Sequence, residues 1–147
     1  MLKRLTNNIK KDIDIGIYRV SVFITGLVLP IVLIFIINFT GQSEIIEEIG
    51  KVLVILFIIL RNPSWKIRLE GAVVFGLLFG LSENMFYLIN FLGTENYHIF
   101  LLRFVTTIPI HIVTVLIIFI FTEIKKYFWI FGLILSILVH LLFNLFV

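Results

Sequence analysis

Apolar residues in this chain neither alternate nor recur on one narrow helical stripe; they run in blocks separated by short polar connections. A hydrocarbon layer about 30 Å thick takes about 20 helical residues at 1.5 Å rise each. On that measure the pattern predicts five spans, at about Ile15 to Phe39, Glu44 to Leu60, Glu70 to Leu92, His98 to Phe121 and Phe128 to Phe146. The second is the shortest, because KVLVILFIIL supplies only about 15 Å of helix. To cross, it must draw in SEIIEEIG, which carries Glu47 and Glu48 into its outer turns. A re-entrant or interfacial segment is the alternative, and the basic connection beyond it favours crossing. The expected fold is all-α, a polytopic membrane helix bundle of about five transmembrane helices forming one integral membrane domain over residues 1–147.

Composition agrees with that pattern. The 147 residues are 61% hydrophobic, with 16 Phe and 14% charged residues, and the mean hydropathy is +1.16, far from a soluble domain of this length. Cysteine is absent, which excludes disulfides, thiolate nucleophiles and cysteine-ligated metals. The opening MLKRLTNNIKK resembles the basic region of a signal peptide. The apolar block after it is long and has no small-x-small cleavage site, so it reads as a retained first span.

The net charge of +3 invites a nucleic-acid reading until the basic residues are located. Lys3, Arg4, Lys10 and Lys11 precede the first span, Arg61, Lys66 and Arg68 separate the second and third, and Lys125 and Lys126 separate the fourth and fifth. The opposite connections, TGQSEIIEE and GTENYH, are acidic or nearly neutral. This asymmetry predicts a multi-pass protein of the cell membrane with a cytoplasmic N-terminus and an extracytoplasmic C-terminus, and no nucleic-acid partner. His98 falls at the external boundary and reads as an interface residue.

Polar residues inside the spans carry the chemistry. On the third, Gly76, Gly80, Glu83 and Tyr87 share one helical face, with the glycines admitting a close neighbour. Glu83 lies thirteen residues, about 20 Å, in from Glu70, at a depth where a carboxylate needs a reason. Asn84 points about 100° away, toward a second neighbour. The fourth span carries Arg103, Thr107, His111 and Thr114 on one face, with Pro109 freeing a carbonyl beside His111. The fifth carries Gly132, Ser136, His140 and Asn144, each four residues after the last. The second contributes Glu47 and Glu48, with Lys51 one turn on, in reach of either.

Together these describe a wet cavity that opens on the external side and descends toward mid-membrane. Carboxylates and imidazoles with water access can hydrolyse an amide, with glutamate as base, histidine as proton donor or oxyanion stabiliser and asparagine as neutral donor. Glu47 is the preferred base and Glu48 the second choice. Arg103 either snorkels outward or pairs with Glu47, Glu48 or Glu83. Ser136, Thr107, Thr114 and the glycines read as packing. Zinc held by Glu48, Glu83, His111 and His140 is a chemically open alternative, although no HExxH is present. A transporter or ion pathway would also place Glu and His in a bundle, but no repeat is visible and five helices make a small transporter.

These residues also carry a family pattern. EEIGK at Glu47 to Lys51 fits an EExxK motif, FGLSEN followed by Tyr87 fits an FxxxEN..Y segment, and Arg103, His111 and HLLFN at His140 to Asn144 resemble the later motifs. From Glu44 to the end, the sequence resembles the PrsW-type glutamic intramembrane proteases, distant relatives of the CAAX prenyl protease and bacteriocin-processing superfamily. The resemblance implies a prokaryotic membrane endopeptidase that needs no cofactor and cuts a membrane-associated protein, such as a single-pass anti-sigma-factor-like substrate. It puts Glu47 and Glu48 at the catalytic centre, Glu83 and His111 beside them, and His140 with Asn144 at an oxyanion-binding position; Lys51, Arg103 and Tyr87 support them. Prenyl proteases usually carry arginine one place after Lys51 and histidine in place of Glu83, so the resemblance argues against prenyl-protein processing.

Overall fold

The computed structural model describes the backbone of residues 2–62, 64–91 and 97–146 and the side chains of residues 6–62, 64–89 and 101–146. The side chain of His98 and most of the connection GTENYH lie outside the described residues. The described residues form five helices, α1 (Leu2–Thr40), α2 (Ser43–Phe57), α3 (Trp65–Phe91), α4 (Tyr97–Ile124) and α5 (Trp129–Phe146), with 3₁₀ turns at Ile59–Arg61 and Lys126–Phe128. No strand occurs among the described residues. The protein is an all-α polytopic membrane bundle, and four of its helices, all but α2, are long and apolar enough to cross a bilayer.

α1 starts well before the expected Ile15, because the polar stretch before it continues the same helix without a break. It ends at Gly41, whose φ of 68° is a left-handed conformation that favours glycine. The Gly41 amide closes the helix on the Ile37 carbonyl at 2.8 Å. α2 is the short element the sequence leads one to expect, yet it traverses the bundle. The start of α3 lies beside the early part of α1, where Tyr18 Oη donates to the Ile67 carbonyl at 3.2 Å and Arg19 pairs with Glu70 at 3.0 Å. α1 and α3 are therefore parallel, and α2 with its 3₁₀ turn carries the chain back between them. Pro109 sits inside α4, which remains helical on both sides of it.

Close approach of α3 to α4 follows from the glycine face. A Cβ on Gly76 would lie 2.8 Å from the Ile112 Cα, and one on Gly80 would lie 2.9 Å from the Ile108 Cα. Gly132 gives α5 the same access to α4, at 3.0 Å from the Ile118 Cα. Between the helices Ile55, Ile59, Ala72, Phe75, Phe79, Val115, Ile118 and Phe119 form an apolar core. Large apolar side chains such as Phe35, Phe39, Val105 and Leu145 cover the outside, as a lipid solvent requires.

At the end of the bundle where the basic connections lie, Arg68 ties α3 to α4. Its Nε and Nη2 donate to the two Glu123 carboxylate oxygens at 2.8 and 2.6 Å, and its Nη1 donates to the Asn62 carbonyl at 2.8 Å. This fork-to-fork geometry is the strong form of the Arg–carboxylate pair.

Candidate active site

Toward the opposite end, side chains from α2, α3, α4 and α5 meet in the core. α2 presents Glu47, Glu48 and Lys51, all buried. Adjacent glutamates point about 100° apart on a helix, and they take different environments. Glu48 Oε1 accepts a hydrogen bond from Lys51 Nζ and a second from His140 Nδ1 at 2.8 Å. Lys51 Nζ also donates to Thr114 Oγ1 at 3.0 Å and rests 4.9 Å from the centre of the Phe79 ring. Glu48, Lys51 and Thr114 are each 0% exposed, so Lys51 serves Glu48 and not Glu47. A buried ammonium with a carboxylate, a hydroxyl and an aromatic face around it is compensated on every side.

Glu47 is left outside that network. Its Oε2 has no hydrogen-bond partner and lies 4.0 Å from His140 Nε2. On α3, Glu83 accepts a hydrogen bond from His111 Nε2 across the glycine-lined contact with α4. His111 is 0% exposed, and its Nδ1 has no partner. The two imidazoles meet edge to face with centroids 5.3 Å apart, and Phe79 packs 4.9 Å from the His111 ring centre. Each histidine therefore has one nitrogen oriented by a carboxylate and the other left for a further partner.

Glu47, His111 and His140 each offer one ligand atom, all within 4.8 Å of one another. That set differs from the four ligands expected from sequence, because Glu48 is committed to Lys51 and His140. The three donors fit a divalent metal. Two buried atoms among them lack partners, and outer carboxylates on both histidines are the arrangement that orients metal-ligating imidazoles.

A void of about 10 Å³ adjoins the group, lined by Glu83, Tyr87, Arg103, His111, His140 and Asn144 among others, roughly the space of one water. Tyr87 faces Glu83 and carries the Arg103 guanidinium over its ring at 5.0 Å. Asn144 lines the void but donates Nδ2 to Glu44 Oε1 at 2.9 Å, tying the last turn of α5 to the first turn of α2. Asn84 turns to the other side, where its Nδ2 donates to the Phe104 carbonyl at 3.1 Å.

Two participants were hidden in the sequence. Thr114 was assigned to packing, yet it helps hold Lys51; Phe79 is buried against both Lys51 and His111. Phe79 had a signal in its position four residues before Glu83, on the same helical face.

The lipid-facing bundle gathers carboxylates and imidazoles around a water-sized void, an arrangement chemically able to hydrolyse an amide within the membrane. A family model for the PrsW family intramembrane metalloproteases matches residues 18–147. The chain belongs to that family, and intramembrane proteolysis is the activity the family carries. Comparison with curated proteins found no match, and comparison with solved structures found none.

Proposed function

We propose that the protein is an intramembrane endopeptidase in which Glu47 activates water against a peptide carbonyl of a membrane-associated protein. One observation carries this reading: Glu47 Oε2 is buried, unpartnered and grouped with His111 and His140. Folding normally pairs such an atom, and what sets this one apart from Glu48 Oε2 and Asn84 Oδ1, also unpartnered, is its place beside both imidazoles. Glu47 accepts the proton of the attacking water, whose oxygen bonds to the carbonyl carbon; the C–N bond then breaks as the amine takes up a proton. His111, held by Glu83, and His140, held by Glu48, are the groups placed to give that proton or to steady the oxyanion. The Lys51 charge stays with Glu48 and fixes the network that aims His140.

The positive connections support a cytoplasmic N-terminus and an extracytoplasmic C-terminus, which would put this centre on the outer side of mid-membrane. A single-pass protein cut near its extracytoplasmic boundary, of the anti-sigma-factor type, is the substrate class that fits. Asn144 is assigned a supporting place at the mouth, since its amide is held by Glu44.

A second reading is favoured by the Glu47, His111 and His140 grouping itself. These three residues would hold a zinc ion, which when bound supplies Lewis acidity to the scissile carbonyl. Glu83 and Glu48 would then act as the outer carboxylates that orient the two histidines.

Cleavage of a library of single-pass reporters by the protein in vesicles separates the readings. Under the glutamate reading, activity survives exhaustive chelation and elemental analysis finds no stoichiometric metal. Loss of cleavage on chelation, with recovery on adding zinc, moves Glu47 from base to ligand. Wild-type cleavage by a folded Glu47→Gln variant removes both readings.

A further inference from the structure

At the basic end of the bundle, two clefts stand apart from the hydrolytic centre. One, of about 580 Å³, runs between the early turns of α1 and the chain entering α3, and is lined by Asn7, Lys10, Lys11, Asp14, Asn62 and Ser64 among others. The other, of about 460 Å³, is lined by Ile17, Phe57, Ile58 and Arg61 and shares Asp14 and Asn62 with the first. The two adjoin as one groove: Lys10 and Lys11 stand with Ile15 and Ile67 in its cationic part, and Ile17, Phe57 and Ile58 stand with Arg61, Tyr18 and Ser21 in its apolar part.

Three cationic side chains and one carboxylate line this groove. Among the described residues, the side chains of Lys10, Lys11 and Arg61 have no hydrogen bond or ion pair, and Asp14 is the single carboxylate lining the groove. Two nearby arginines are paired, Arg19 with Glu70 and Arg68 with Glu123. Depth matters as well. The lysines precede the first apolar turns of α1, while Ile17, Phe57 and Ile58 lie within apolar blocks. The cationic part therefore falls at the headgroup layer and the apolar part at the upper acyl layer.

We infer that this groove binds an anionic phospholipid, its phosphate against Lys10 and Lys11 with Arg61 alongside, and one acyl chain along Ile17, Phe57 and Ile58. A molecule with a negative head and an apolar tail matches both parts, whereas a soluble anion leaves the apolar part unfilled. The inference stands independently of the hydrolytic reading.

The test uses the full chain in neutral detergent, exposed to phosphatidylglycerol or phosphatidylcholine, with retained lipid read by native mass spectrometry. Wild type keeps phosphatidylglycerol in preference. Replacing Lys10, Lys11 and Arg61 together by Gln lowers retention about tenfold or more. An equal loss of charge at Lys66→Gln, Lys125→Gln and Lys126→Gln leaves retention within about twofold. Lys10→Arg with Lys11→Arg keeps it, and Lys10→Gln with Lys11→Gln repeats most of the loss on a helix surface where neither side chain has a protein partner. Equal loss from both triple variants would show only diffuse surface charge and overturn the site. So would the absence of any preference for phosphatidylglycerol, or complete displacement of the lipid by glycerol phosphate.

Discussion

Two places in this bundle set carboxylates beside cations, one partly buried and one fully, and they end differently. At the basic end, Glu123 and Arg68 satisfy each other through two parallel hydrogen bonds, and the remaining guanidinium nitrogen takes a backbone carbonyl. In the centre, Glu48 Oε1 pairs with Lys51 and His140, and Lys51 with Thr114, but Glu48 Oε2 is buried with no hydrogen-bond partner. Beside it, Glu47 Oε2 and His111 Nδ1 are likewise buried with no protein partner. The first arrangement is what stability alone would select, and the second is not. Unfinished polar valence gathers at Glu47, Glu48 and His111, away from the finished Arg68–Glu123 pair.

The largest effect that would break this comparison is in Glu47. Glu47→Gln should lower reporter cleavage at least about 100-fold, the usual weight of a general base, while leaving the unfolding midpoint in detergent nearly unchanged. A large fall in stability with residual activity would make Glu47 a structural residue. Gly80→Ala should affect both properties, because its Cβ would lie 2.9 Å from the Ile108 Cα and 3.2 Å from the His111 Cδ2. Separation of α3 from α4 would loosen Glu83 from His111, costing about 1–3 kcal/mol and most of the activity. Denaturation together with cleavage per folded molecule measures the two.

Arg68→Ala should show the reverse of Glu47→Gln. The pair is 17% and 19% exposed, so removing one partner should cost about 2 kcal/mol, below the value for a fully buried pair. Cleavage per folded molecule should stay unchanged, as read from activity normalised to the folded fraction. The smallest effect belongs to Gly16, whose added Cβ meets nothing within 4 Å. Gly16→Ala should leave cleavage intact and stabilise α1 by up to about 1 kcal/mol through helix propensity, visible as a small rise in the thermal midpoint.

Much of the fold was legible before any coordinates. The long apolar blocks, the basic connections and the glycine face of the third span predicted five helices, a membrane bundle and the close contact at Glu83. Element ends were less legible, since α1 runs on through a polar stretch that the hydropathy pattern excludes from the span. Among site residues, four-residue spacing placed Glu83, His111 and His140 on inward faces. It left Lys51 in reach of two glutamates; the oxyanion place of Asn144 came from the family resemblance, and in the structure its amide donates to Glu44.

Sequence by itself determined which residues share a helical face, because helix period and lipid solvation are local properties of the chain. Only the tertiary structure decided which faces meet. Glu47 and Glu48 are neighbours in sequence and identical in chemistry. They diverge because α5 brings His140 Nδ1 to one of them at 2.8 Å while leaving His140 Nε2 4.0 Å from the other. Helix period sets the angle between the two carboxylates, but the packing of α2 against α4 and α5 determines which finds its partners.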